Sequence, residues 1–248
     1  MCRHLAYLGP PTTLAALVLE PPHGLVRQSY APLDMRGGGT VNADGFGVGW
    51  YAGPGDAVRY RNAAPLWSDG VFADLARATT AAGLLAAVRS ATVGMPVTAE
   101  AAAPFAEGRF LFSHNGVVRG WPGSVAALAA ALPVTDLLTL DAPTDAALLW
   151  ALVRDRLRAG KDPADALVDV VAEVAAAAPG SRLNLLLTDG ATVWATAWDH
   201  ALSVRSGPGL ALVASEPIDA DPGWTGVPDR HLVVARAGEH HLIPLGSS

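Results

Sequence analysis

The sequence predicts an α+β fold built in layers. Short strands open the chain, a helical block fills its middle, and short strands return from Leu183 onward. Such segregation favours layered α+β packing over alternating βαβ units. No Pro/Gly/Ser-rich linker and no internal repeat divides the 248 residues, so the expectation is one domain spanning 1–248.

Each element has its own signal. Cys2 to Leu8 alternates as a short strand, which Pro10-Pro11 is expected to end. Gly45 to Tyr51 alternates glycine with bulky residues, the pattern of a strand approached closely by another backbone or a ligand. Asp69 to Ala78 predicts a short helix. Phe110 to Phe112 reads as a strand running into Ser113-His114-Asn115-Gly116, where Asn-Gly signals a turn. Two longer helices follow, at Asp145 to Leu157 and at Ala164 to Ala176, the second placed behind Pro163 as helix starts often are. Six short strands complete the chain: Leu183–Leu187, Val193–Trp198, Leu202–Val204, Leu210–Ala214, Leu232–Ala235 and His241–Pro244, with Asp-Gly and Gly-Pro-Gly turns among them.

Composition narrows the function. Apolar residues make up 51% of the chain, enough for a substantial core. The formal net charge is −6 and the Lys and Arg residues are scattered. Nucleic acid and anionic membrane surfaces demand a basic face, so neither is expected as a partner. Gly9-Pro10-Pro11 interrupts the first apolar stretch before a signal peptide could form, and alanine runs such as Val125 to Ala131 are too short to cross a bilayer. The single cysteine, Cys2, permits no intramolecular disulfide and fits a reducing cytoplasm, the expected location. The expected partner is a small molecule, and the oligomeric state stays open, a homo-oligomer included.

Cys2 is the first candidate for chemistry. Removal of Met1, usual before a small residue, would leave Cys2 carrying the free α-amine. That amine has a pKa of about 7.7–8.0, so it can act as base toward its own thiol. Asn115 and Gly116 form the second feature, since a side-chain amide and a neighbouring backbone N–H can together stabilise an oxyanion. His114 beside them reads as a hydrogen-bonding residue on the substrate side, because Cys2 already supplies a base. Arg89 and Asp145 are the third feature. An α-amino acid head group needs a cation for its carboxylate and an anion for its ammonium. Asp145 also stands where a helix N-cap is expected. Adjacent His240 and His241 point to opposite faces of a strand and fit no metal site, and the glycines of Gly45 to Gly49 miss the dinucleotide pattern. No metal or cofactor is expected.

Together, Met1-Cys2-Arg3, Asn42-Ala43-Asp44-Gly45-Phe46-Gly47-Val48-Gly49-Trp50, Val88-Arg89-Ser90-Ala91-Thr92, Phe112-Ser113-His114-Asn115-Gly116 and Thr144-Asp145 resemble, in order, the class II glutamine amidotransferases of the N-terminal-nucleophile hydrolase superfamily. The resemblance implies a four-layer αββα sandwich. It also implies Cys2 as nucleophile and base, Asn115 and Gly116 as oxyanion hole, Arg89 on the glutamyl α-carboxylate and Asp145 on the α-ammonium. Further segments, among them Pro21-Pro22-His23-Gly24-Leu25, Gln28-Ser29-Tyr30-Ala31-Pro32, Ser215-Glu216-Pro217 and Asp221-Pro222-Gly223-Trp224, resemble the amidohydrolases of ergothioneine biosynthesis. That narrower resemblance implies cleavage of γ-glutamyl-hercynylcysteine S-oxide to glutamate and hercynylcysteine S-oxide. The leaving group carries a trimethylammonium, which aromatic faces and carboxylates hold well. Trp224, Tyr30 and Glu216 are the candidates, with Trp67 and Trp50 as alternatives. The resemblance uses the entire chain and leaves no acceptor domain. The other readings are a glutaminase subunit supplying ammonia to a partner synthetase, and an inactive family fold serving as a binding module.

Overall fold

A computed structural model describes residues 2–36, 41–53, 55 and 57–246. Met1, whose removal the sequence leads one to expect, lies outside the described residues. The chain opens with strand β1 (Arg3–Thr13), helices α1 (Leu14–Val18) and α2 (Leu25–Gln28), the paired strands β2 (Phe46–Trp50) and β3 (Val58–Asn62), helix α3 (Gly70–Ala78) and strand β4 (Thr80–Val88). Strands β5 (Phe105–Glu107) and β6 (Phe110–Val117) follow. Next come helices α4 (Ala126–Ala130), α5 (Val134–Leu138), α6 (Asp145–Arg158) and α7 (Pro163–Ala177). The last strands are β7 (Arg182–Thr188), β8 (Val193–Ala197), β9 (Ser203–Gly207), β10 (Leu210–Ala214), β11 (Thr225–Gly226), β12 (His231–Arg236) and β13 (Glu239–Pro244).

Among the described residues these strands form two sheets, ordered β11-β9-β10-β1-β4-β2-β3 and β13-β12-β8-β7-β6-β5. Three packing layers hold them. Leu5, Tyr7, Phe46, Leu84 and Leu212 pack against α1 and α3 through Leu14, Val18 and Phe72. Ala6, Leu8, Leu85, Leu111, Leu186 and Val213 fill the space between the sheets. Phe112, Leu183, Leu185 and Leu187 pack against Leu149, Val153, Val170 and Val174 of α6 and α7. The result is a four-layer αββα sandwich. Because β4 is covered on both faces over most of its length, it reads as a nearly unbroken apolar run instead of an alternating one. Strand β4 carries no turn signal and no alternation, so nothing in the sequence marks it.

Three local expectations need correction. β1 does not stop at Pro10-Pro11. It pairs with β4 up to Leu8, loses register, and pairs again at Thr12 and Thr13, so the prolines sit where the ladder is already interrupted and no N–H is needed. Asn115-Gly116 is not a turn, because both residues lie within β6, opposite Asn184 and Leu183 of β7. A side chain at 116 would place its Cβ 1.8 Å from the Arg182 carbonyl oxygen, so the glycine serves close approach. The N-cap of α6 is Thr144, whose hydroxyl accepts from Ala147 N–H at 3.2 Å, which leaves Asp145 as the first helical residue.

Register gathers the candidate residues at one end of the sandwich. Arg3 and Phe46 both face Val88, so Cys2, Arg89 and Gly45 emerge side by side from the first sheet. Leu5 faces Ala214, which brings Ser215 to the same end. Across the inter-sheet space, His4 and Ser113 meet at 3.3 Å, and Asn115 donates to Ser215 Oγ at 3.0 Å.

Candidate active site

A cleft opens at this end. Its lining includes Cys2, Arg89, His114, Gly116 and Asp145. Thus residues up to 143 positions apart in sequence face one space. The Cys2 thiol is half-buried, with Sγ 3.9 Å from the Ser90 carbonyl oxygen.

Arg89 is held by backbone. Its guanidinium donates to the carbonyls of Pro96 (2.8 Å) and Asp44 (3.4 Å). Asp44 in turn fixes the segment after Arg89: its N–H donates to the Arg89 carbonyl, and its carboxylate accepts from Ala91 N–H at 2.8 Å. Gly45, at φ 114°, accepts from Arg89 N–H, completing the clamp. Asn42-Ala43-Asp44-Gly45 therefore works as a support for the Arg89 segment. Asp145 accepts from Val118 N–H (3.1 Å) and from Ala146 N–H (2.8 Å). Its carboxylate sits at the start of α6, where the helix dipole favours negative charge. Among the described residues neither side chain forms an ion pair, so each is open to an opposite charge in the cleft.

The second sheet supplies the rest. His114 donates from Nε2 to the Arg182 carbonyl at 2.9 Å, which fixes its tautomer. Asn115 is fully buried and does not itself line the cleft; one amide N–H goes to Ser215 Oγ, and Oδ1 is unbonded. The buried imidazoles of His4 and His200 are both pushed down to about 3 by desolvation first. For His4 the neighbouring His114, His200 and Arg3 add to it; for His200, Arg3 and Arg182 do. Both are neutral at physiological pH.

Glu216 differs from its sequence reading. Its carboxylate accepts from Arg3 Nε (3.0 Å), His23 Nε2 (2.6 Å), Leu33 N–H (2.9 Å) and Asp34 N–H (3.1 Å). Burial pushes its carboxyl upward, but these donors together outweigh burial and hold it below the usual range. No capacity is left for a cationic leaving group. What it does instead is anchor Arg3, which donates to the carbonyls of Cys2 (2.9 Å) and Asp34. Trp224 is likewise engaged away from the cleft: its indole N–H donates to Asp219 at 2.8 Å and Arg205 lies 5.2 Å over its ring. Tyr30 meets Trp67 edge-on at 5.9 Å with Arg27 over its ring, and Trp50 is core. Arg3, Asp44 and Ser215 escaped the sequence reading, though each lies inside a segment that was singled out. Among the described residues no group of three or more His, Cys, Asp or Glu could hold a metal ion, and no helix is long and apolar enough to cross a membrane.

A family model described as "Glutamine amidotransferases class-II" matches residues 12–209. The chain belongs to this family. A protein of Mycolicibacterium smegmatis named gamma-glutamyl-hercynylcysteine sulfoxide hydrolase is 45% identical over 99% of this chain and 100% of its own. A protein of the same name from Mycobacterium tuberculosis is 43% identical over 94% of this chain and 92% of its own. Among solved structures, a glutamine aminotransferase class-II domain protein from Silicibacter pomeroyi superposes with a TM-score of 0.72 at 23% identity, covering 99% of this chain and all of its own. The glutamine phosphoribosylpyrophosphate amidotransferase of B. subtilis gives 0.65 at 13% identity, with this chain covering half of it. Both structural likenesses speak for the fold.

Proposed function

We propose that this class-II amidotransferase relative is a hydrolase of the γ-glutamyl amide of γ-glutamyl-hercynylcysteine S-oxide, releasing glutamate and hercynylcysteine S-oxide. The observation that carries the reading is the 45% identity, end to end, to a protein named for that hydrolysis. The cleft supports it with the group types that the chemistry needs.

Once Met1 is removed, the Cys2 α-amine takes the thiol proton, and Sγ attacks the γ-carbonyl. The oxyanion that develops is met by Gly116 on the cleft wall, and Asn115, buried beside it with one amide N–H on Ser215, reaches it with the second once the seated substrate tightens the site. The C–N bond breaks as the protonated amine returns its proton to the leaving nitrogen. Water then hydrolyses the thioester and frees glutamate. Arg89 holds the glutamyl α-carboxylate and Asp145 the α-ammonium, which fixes the γ-carbonyl over the sulfur. A catalytic site in a single domain, working inside the cytoplasm, completes the proposal.

The test is glutamate release from the conjugate by Met1-free protein, with free glutamine assayed in parallel. Fast release from the conjugate alone is expected, and Cys2→Ala should lower it at least about a thousandfold. Preferential use of glutamine would overturn the reading in favour of an ammonia-supplying subunit.

A further inference from the structure

Glu216, the carboxylate expected to face the leaving group, is consumed by the loop that it anchors. That anchoring has a product of its own. It fixes the backbone of Leu33 and Asp34 and thereby presents the Asp34 and Arg36 side chains along an open groove. The groove adjoins Cys2 in two ways. The Arg3 guanidinium bonds both the Cys2 and the Asp34 carbonyls. Ser215, which receives Asn115, also lines the groove.

A linear substrate with its head group at Arg89 and Asp145 must send its leaving group away from them. A second groove, running past Thr92, Met95 and Val118, lies on the head-group side, since Val118 N–H is bonded to Asp145 itself. Strand β1 lies between β4, which leads into Arg89, and β10, which leads into Ser215 and Glu216, so the Asp34 groove lies across β1 from Arg89. Resting on the proposed function, the geometry points to Asp34 and Arg36 as the pair that reads the betaine end of the leaving group. A betaine carries a trimethylammonium and a carboxylate on one carbon. Asp34 faces the first and Arg36 the second.

Three observations support the assignment. Asp34 accepts from Arg36 Nε at 2.9 Å and from Arg36 N–H at 3.2 Å, so anion and cation stand side by side at the spacing of a zwitterion. The pair is partly solvent-exposed, with side chains 26% and 56% accessible. Exposed pairs contribute little to stability, so exchanging partners with a substrate zwitterion costs little. Leu33, Met35, Leu202 and Val227 line the same groove and offer apolar contact to methyl groups and an imidazole edge. The molecule would then read its substrate with two Arg/Asp sets, one for each zwitterionic end.

The test measures binding to Met1-free Cys2→Ala protein by calorimetry and turnover with active protein. The ligands are γ-glutamyl-hercynylcysteine S-oxide and γ-glutamylcysteine, which lacks the betaine. Asp34→Asn and, separately, Arg36→Gln should each weaken binding of the conjugate about tenfold and lower its kcat/KM in parallel. The same variants should affect γ-glutamylcysteine less than threefold. Equal losses on both ligands would overturn the assignment and make the pair a support for Cys2. Unchanged binding of the conjugate would overturn it too. Wild-type protein that fails to turn over the conjugate sinks the hydrolase reading, while the binding arm still reports on the groove by itself.

Discussion

Two arginine–carboxylate sets flank Cys2, and they are built in opposite ways. Arg3 and Glu216 are almost entirely buried and bond each other at 3.0 Å, with His23 and two backbone N–H groups filling the remaining acceptor positions. Arg89 and Asp145 are nearly as buried, yet each is held by backbone groups, and among the described residues neither forms an ion pair. A buried charge met by the opposite charge is structural; one held only by dipoles is open to an ion from outside, the role proposed for Arg89 and Asp145. The difference teaches that burial alone does not separate function from scaffold. The identity of the partner does.

Removing Glu216 is the largest expected way to sharpen that contrast. Glu216→Ala leaves Arg3 buried without its anion, and loss of one partner from a buried pair costs about 3–5 kcal/mol. Urea denaturation should show a fall of that size. A fall under about 1 kcal/mol would mean that water already compensates Arg3.

Asp145→Asn should behave in the reverse sense. The amide keeps one of the two acceptor positions, so stability should fall by about 1–3 kcal/mol, less than for Glu216. Loss of its charge opposite a desolvated ammonium is expected to cost about 2–3 kcal/mol in kcat/KM, roughly 30- to 150-fold. Steady-state kinetics with the conjugate measures it. A large loss of stability with intact turnover would erase the distinction between the two sets.

The smallest effect belongs to the neutral histidines beside the Arg3 set. His4 and His200 are both lowered in the folded state to about 3 from the usual 6.5. Between those values the unfolded chain binds more protons, so the stabilisation is complete above pH 6.5 and is lost progressively as pH falls toward 3. His4→Asn should flatten part of the decline measured by denaturation from pH 7 to pH 4. An unchanged slope would show that the carboxylates alone govern acid sensitivity.

Much of the architecture was legible from residues. The return of short strands after two long helices indicated the layers, and Asp69 and Pro163 marked helix starts that the structure places at Gly70 and Pro163. Strand β4 stayed hidden because a strand covered on both faces has no alternation to read. Asn115-Gly116 misled because the same dipeptide that suits a turn also suits a strand pressed against a neighbouring carbonyl.

For the site, the sequence by itself determined the inventory: a cysteine at position 2, Arg89, Asp145 and Asn115-Gly116, in an order that marks the family. Tertiary structure alone decided how each charge is spent. Glu216, Asp145 and Asp34 are the same functional group in a string of letters. One is closed off by Arg3 and His23, one is poised on a helix terminus facing the cleft, and one is set out on a groove beside Arg36. A carboxylate's role depends on which donors surround it within hydrogen-bond range, and those donors come from segments that only folding brings together.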